Sequence, residues 1–147
     1  MPNFAKYVSY KYAFDQMKLA IEKCFYLEAV MIAESIISDR LHSASGTSED
    51  KTNPKTGRPV FVSLKTLIQR ARKKGMEEDL IHRLDQWRIS RNTIAHAIAR
   101  SAPGAPTMAV ANFRALASET AKCGVGLVKD VKNWQRRSLG KKMRERK

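Results

Sequence analysis

The chain has 147 residues, 43% of them hydrophobic, and carries 28 Lys plus Arg against 14 Asp plus Glu, a formal charge of +14. This length and apolar content suffice for one domain with a packed core and exclude a wholly disordered chain. The charge makes a polyanion, nucleic acid first, the expected partner, and because the basic residues are spread along the chain rather than gathered on one aromatic-flanked helix, a membrane surface is not expected.

The N-terminus, Met1-Pro2-Asn3-Phe4-Ala5-Lys6, lacks a basic start followed by an apolar centre, and no segment reaches the roughly 18 apolar residues of a membrane span. The expectation is a cytoplasmic protein. Cys24 and Cys123 lie far apart, neither at metal-ligand spacing from a second Cys or a His, so both are read as reduced helix residues and neither a metal nor a cofactor is expected.

In chain order, a short aromatic leader with Tyr7, Tyr10 and Tyr12 precedes a first helix carrying Phe14, Met17, Ile21 and Cys24 at helical spacing. The Phe25-Tyr26 junction leads to a second helix with Leu27, Val30, Met31, Ile37 and Leu41, running to about His42. A surface loop rich in Ser, Gly, Thr, Asn and Pro follows over about 43–60. Ser63 caps a third helix with Leu64, Leu67, Ile68 and Ala71, which Gly75 ends behind the cations Arg70, Arg72, Lys73 and Lys74. Glu77, Glu78 and Asp79 open a fourth helix with the stripe Leu80, Leu84, Trp87, Ile94 and Ile98, which stops before Ser101.

Thr107 is the predicted cap of a fifth helix showing Phe113, Leu116, Leu127, Val131 and Trp134, in which Gly124 and Gly126 mark close packing. Residues 136–147, starting with Arg136 and Arg137, read as a basic C-terminal tail with too few apolar residues to join a core, so the folded domain is placed at 1–135. Strand signals are nearly missing and no repeat is visible. The predicted fold is an all-α bundle of about five helices.

The chemistry concentrates on the fourth helix. Arg88, Asn92, His96 and Arg100 stand four residues apart and share a face. Arg91 instead falls with Trp87 and Ile94 on the apolar stripe, so its stem packs inward while its guanidinium needs a carboxylate or a phosphate. Glu34 interrupts the stripe of the second helix in the same way and is the predicted partner, either as a structural bridge alone or as the group that orients Arg91. Arginine grips phosphate with a planar fork of donors, and histidine titrates where proton transfer at neutral pH needs it. His42 and His82 lack such a context, and Trp87 and Trp134, on apolar stripes, are read as packing residues rather than base-stacking ones.

Arg91, Asn92 and His96, the His following the Arg after four intervening residues, match the pattern of ribonuclease members of the HEPN superfamily, which the chain resembles. The resemblance takes in Leu19 to Lys23 and Tyr26 to Ser35 as a first helical pair and extends through Trp87-Arg88-Ile89-Ser90-Arg91-Asn92; the fifth helix and basic tail are poorly covered. It implies a symmetric homodimer acting as a metal-independent endoribonuclease, a toxin or defence effector with an antitoxin or other regulatory protein as partner. Where some HEPN toxins carry a tyrosine modified by an antitoxin nucleotidyltransferase, two residues beyond the His, this chain has Ile98.

The implied catalytic residues are Arg91, Asn92 and His96, supported by Glu34, Arg88 and Arg100. Arg70, Arg72, Lys73, Lys74, Arg136 and Arg137 are the cations expected to attract RNA phosphates. The rival reading is a non-catalytic RNA-binding or protein-interaction module; a DNA-binding regulator suits the charge but lacks a short helix-turn-helix pair.

Overall fold

Helices make up most of residues 3–45, 52–58, 60–97 and 108–147, which the structure, a computed structural model, describes. They are α1 (Phe4–Glu22), α2 (Tyr26–Ser45), α3 (Leu64–Lys73), α4 (Glu78–Ala97) and α5 (Val110–Glu145), with no strand among the described residues. The all-α architecture with five helices is therefore as the periodicity predicts. No helix among the described residues is long and apolar enough to cross a membrane.

Local chemistry explains most of the boundaries. Asn3 caps α1 by accepting from the Lys6 amide at 3.2 Å, so the helix starts ahead of the aromatic residues and the expected leader is in fact its first turns. At its other end the amides of Phe25 and Cys24 reach back to the carbonyls of Ala20 and Ile21, and Cys24 takes φ 61°, the left-handed position usually filled by glycine. Cys24 thus belongs to the turn, not to a helix as expected.

Ser63 caps α3 through the Thr66 amide at 3.2 Å. Gly75, at φ 89°, closes that helix in the same manner, Met76 donating to Ala71. Glu78 and Asp79 occupy the first turn of α4. The N-cap of α5 is Ala109, without a side-chain bond; Thr107, Ile98, Arg100 and the expected stop before Ser101 lie outside the described residues. Residues 136–145, read as a tail, continue α5 as helix.

Packing turns on a seam of small residues. Ala29 and Ala33 of α2 and Ala117, Ala121 and Gly124 of α5 are all buried. A Cβ on Gly124 would stand 3.1 Å from the Ala33 Cβ and 3.3 Å from the Trp87 ring, so this glycine lets α2, α4 and α5 meet at one point. The Trp87 indole satisfies its N–H there by donating to the Thr120 carbonyl at 2.8 Å. Gly126, by contrast, faces open space and marks no close approach.

Ion pairs record the directions of the helices. Arg83 with Asp130 and Glu77 with Arg137 set α4 antiparallel to α5, and Lys6 with Asp39 sets α1 antiparallel to α2. Arg40 donating to Gln135, together with Ala33 against Gly124, sets α2 parallel to α5, so α2 and α4 run in opposite directions. Met17, Ile37, Leu41, Leu67, Ile81, Leu84, Ile94, Val128 and Val131 fill the space between them, joined by both tryptophans. Leu27 and Met31, expected on the inner stripe of α2, are instead exposed, because the alanine face of that helix turns inward.

Gly124→Val should lower stability by about 1–3 kcal/mol through overpacking, whereas Gly126→Ala should raise it by about 0.5–1 kcal/mol by improving helix propensity. Denaturant midpoints measure both, and equal effects at the two positions would contradict the close approach at Gly124.

Candidate active site

Arg91 comes one turn after Trp87 and one turn before the fully buried Ile94, so the indole that locks α4 to α5 also decides where the arginine points. Glu34 follows Ala33, the α2 residue at Gly124, and meets it: Arg91 Nη2 donates to Glu34 Oε1 at 2.5 Å, with both side chains 19% exposed. The predicted pairing of the two residues that break apolar stripes is therefore present. Burial pushes the Glu34 carboxyl above its ordinary pKa, outweighing the lowering by the Arg91 charge. Such half-buried pairs lose part of their attraction to desolvation, so their net contribution to stability is modest. The Arg91 Nε–H is buried without a hydrogen-bond acceptor among the described residues.

The rest of the motif spreads away from this pair. Asn92 is half-buried and His96 exposed. Five residues along a helix correspond to a rotation of about 140°, so Arg91 and His96 point to different sides while Asn92 and His96 share a flank. Arg88 lies on that flank too, but both its Nε and Nη2 are taken up by Asp85, at 2.9 and 2.8 Å, so its charge is answered locally rather than offered as one of two free flanking cations. Asp85 stands three residues before Arg88, a spacing readable in the sequence that the polar-seam reading passes over. Arg100, the other flanking cation, lies outside the described residues.

Beside the pair, a shallow cavity of about 220 Å³ is lined by Glu34, Ser38, Asp39, His42 and Phe61. Phe61 is 90% exposed, an apolar residue of the Val60-Phe61-Val62 run that hydrophobic periodicity does not single out. A cavity of about 580 Å³ lies between α4 and α5 and includes His82, Trp87 and Cys123, but none of Arg91, Asn92 and His96 lines it. Among the basic residues, Arg72 is paired with Glu78 and Arg137 with Glu77, while Lys73, Lys74 and Arg136 are exposed and Arg70 is half-buried. The structure brings Lys74 and Arg137 to one groove at the end of the bundle where α4 begins, away from Arg91.

Comparison with protein-family models, curated proteins and solved structures finds no match to the chain.

Because the folded Glu34 carboxyl holds its proton more tightly than in the unfolded chain, its contribution to stability is complete below the unfolded pKa and is lost as pH rises through the raised folded value. Glu34→Gln should therefore gain stability relative to the native protein between pH 4 and pH 7 in paired denaturation curves; a relative loss over that range would contradict the dominance of burial over the Arg91 charge.

Proposed function

We propose that the chain is an endoribonuclease of HEPN type that works as a homodimer, with Arg91, Asn92 and His96 at its centre. The observation that carries this reading is an arginine held on the apolar side of α4 by a half-buried carboxylate, on the same helix end as an exposed imidazole. The part of the guanidinium that Glu34 does not engage suits a phosphate oxygen.

In the reaction, the ribose 2′-oxygen attacks the adjacent phosphorus while a His96 imidazole takes its proton. The bond from phosphorus to the 5′-oxygen then breaks, and an imidazolium returns a proton to the leaving alkoxide, giving a 2′,3′-cyclic phosphate and a 5′-hydroxyl. Arg91 neutralises the charge that gathers on the phosphorane oxygens, and Asn92 fixes the phosphate or the imidazole. Since Arg91 and His96 of one helix diverge, a two-fold axis near the end of α4 supplies the second imidazole opposite the first. Exposed Leu27 and Met31 support that placement: α2 runs antiparallel to α4, so they lie on the side of Glu34 toward which α4 continues from Arg91 to His96.

The purified protein should cut RNA, and His96→Ala should slow cutting by about 10²–10⁴-fold, with a loss of about 10²–10³-fold for Arg91→Ala, both variants keeping native helicity. A substrate with a single 2′-deoxyribose at the scissile position should resist. Equal cutting by His96→Ala would remove the histidine from the chemistry, and RNA binding without any cutting would leave the chain a binding module.

A further inference from the structure

Where the end of α3 meets the last turns of α5, a groove of about 320 Å³ is lined by Lys74, Arg137, Lys141 and Lys142, with the carboxylates Glu77 and Glu145 beside them. Its floor includes the buried Trp134. Two cationic runs about sixty residues apart in sequence supply it. One is Arg70 to Lys74; the other, over 136–147, holds Arg136, Arg137, Lys141, Lys142, Arg144, Arg146 and Lys147 against the single acid Glu145.

Favourable placement of cations at helix C-termini explains either run alone, but not their convergence. Arg137 is fixed in the groove by Glu77 at 3.0 Å, whereas Lys74, Lys141 and Lys142 hold no ion pair among the described residues. From Arg136 onward no residue of α5 is buried, so these turns are helical without a core to pack on. A concave surface with exposed ammonium groups along one side suits a chain of phosphates, which it attracts through charge.

We propose that this groove is a second docking surface for the RNA substrate, taking the phosphate backbone of a single strand whose scissile bond lies at Arg91 and His96. The identity of the strand as substrate rests on the nuclease reading above; the docking itself does not depend on cleavage. Glu77, which pairs with Arg137 in the groove, is nineteen residues before His96, and at 1.5 Å per residue α4 separates the two places by about 28 Å. A stacked strand rising about 3.4 Å per nucleotide covers that distance in about eight nucleotides. A strand that occupies the groove and the candidate site together is therefore at least about eight nucleotides long.

The test uses the full chain and fully 2′-O-methylated oligoribonucleotides, which lack the attacking hydroxyl, with affinity followed by anisotropy over a range of salt. For a 16-mer, the triple variant K74A/K141A/K142A should weaken binding by about tenfold or more and flatten the dependence of log K on log salt by about 2, three lost phosphate contacts at about 0.7 each. Replacing the same residues by arginine should restore both.

Unaltered affinity and slope in the folded alanine variant would overturn the proposal. So would a loss confined to vesicles of anionic phospholipid with RNA binding intact. If no RNA is ever cut but the slope falls as described, the nuclease reading fails and the docking surface stands; if His96→Ala abolishes cutting while the lysine variant binds normally, the reverse holds.

Discussion

The absence of a side chain at Gly124 governs this structure. A β-carbon there would press on Ala33 from one helix and on Trp87 from another, and without it α2, α4 and α5 close on a single point. The Trp87 indole fills the junction and finds its hydrogen-bond acceptor in the Thr120 carbonyl, so a large apolar surface is buried with no polar atom stranded. Everything at the candidate site is measured from that point: Glu34 is the next residue after Ala33, and Arg91 is one helical turn after Trp87. With α2 and α4 both seated against α5 at this point, the two charged groups come within reach of each other.

The Glu34 and Arg91 pair shows what such a frame is used for. Both residues occupy positions where an apolar side chain would pack, and burial raises the Glu34 pKa despite the guanidinium beside it. Replacing such a pair with well-packed apolar residues is often neutral or stabilising, so the pair reads as a device for holding a cation at a defined place. Catalysis at phosphorus asks for a donor already oriented where charge will develop, because reorientation during the reaction is costly. The exposed His96 has no such restraint among the described residues.

Much of this was legible before any coordinates. Glu34 and Arg91 announce one another because each interrupts an apolar stripe, and burial makes an unpaired charge prohibitive. Ser63, Gly75 and the acids at Glu78 and Asp79 mark helix ends through chemistry that depends only on nearest neighbours. What escaped depends on distant partners or on competing local bonds. Asn3 as a cap is invisible to hydrophobic spacing, and the inward turn of the alanines, which exposes Leu27 and Met31, follows from Gly124 some ninety residues away. Gly124 and Gly126 look alike in sequence, yet only one faces another helix. Arg88 seemed available until Asp85 claimed it, and the meeting of the α3 and α5 cations is a property of the fold alone.

The account's central claim is chemical: an arginine positioned by Glu34 and an imidazole at His96 drive attack by the ribose 2′-hydroxyl. The ends of the RNA fragments left by the purified protein report on that step directly. The account predicts fragments ending in a 2′,3′-cyclic phosphate and beginning with a 5′-hydroxyl. Fragments with a 3′-hydroxyl and a 5′-phosphate, the mark of attack by water rather than by the ribose, would contradict it.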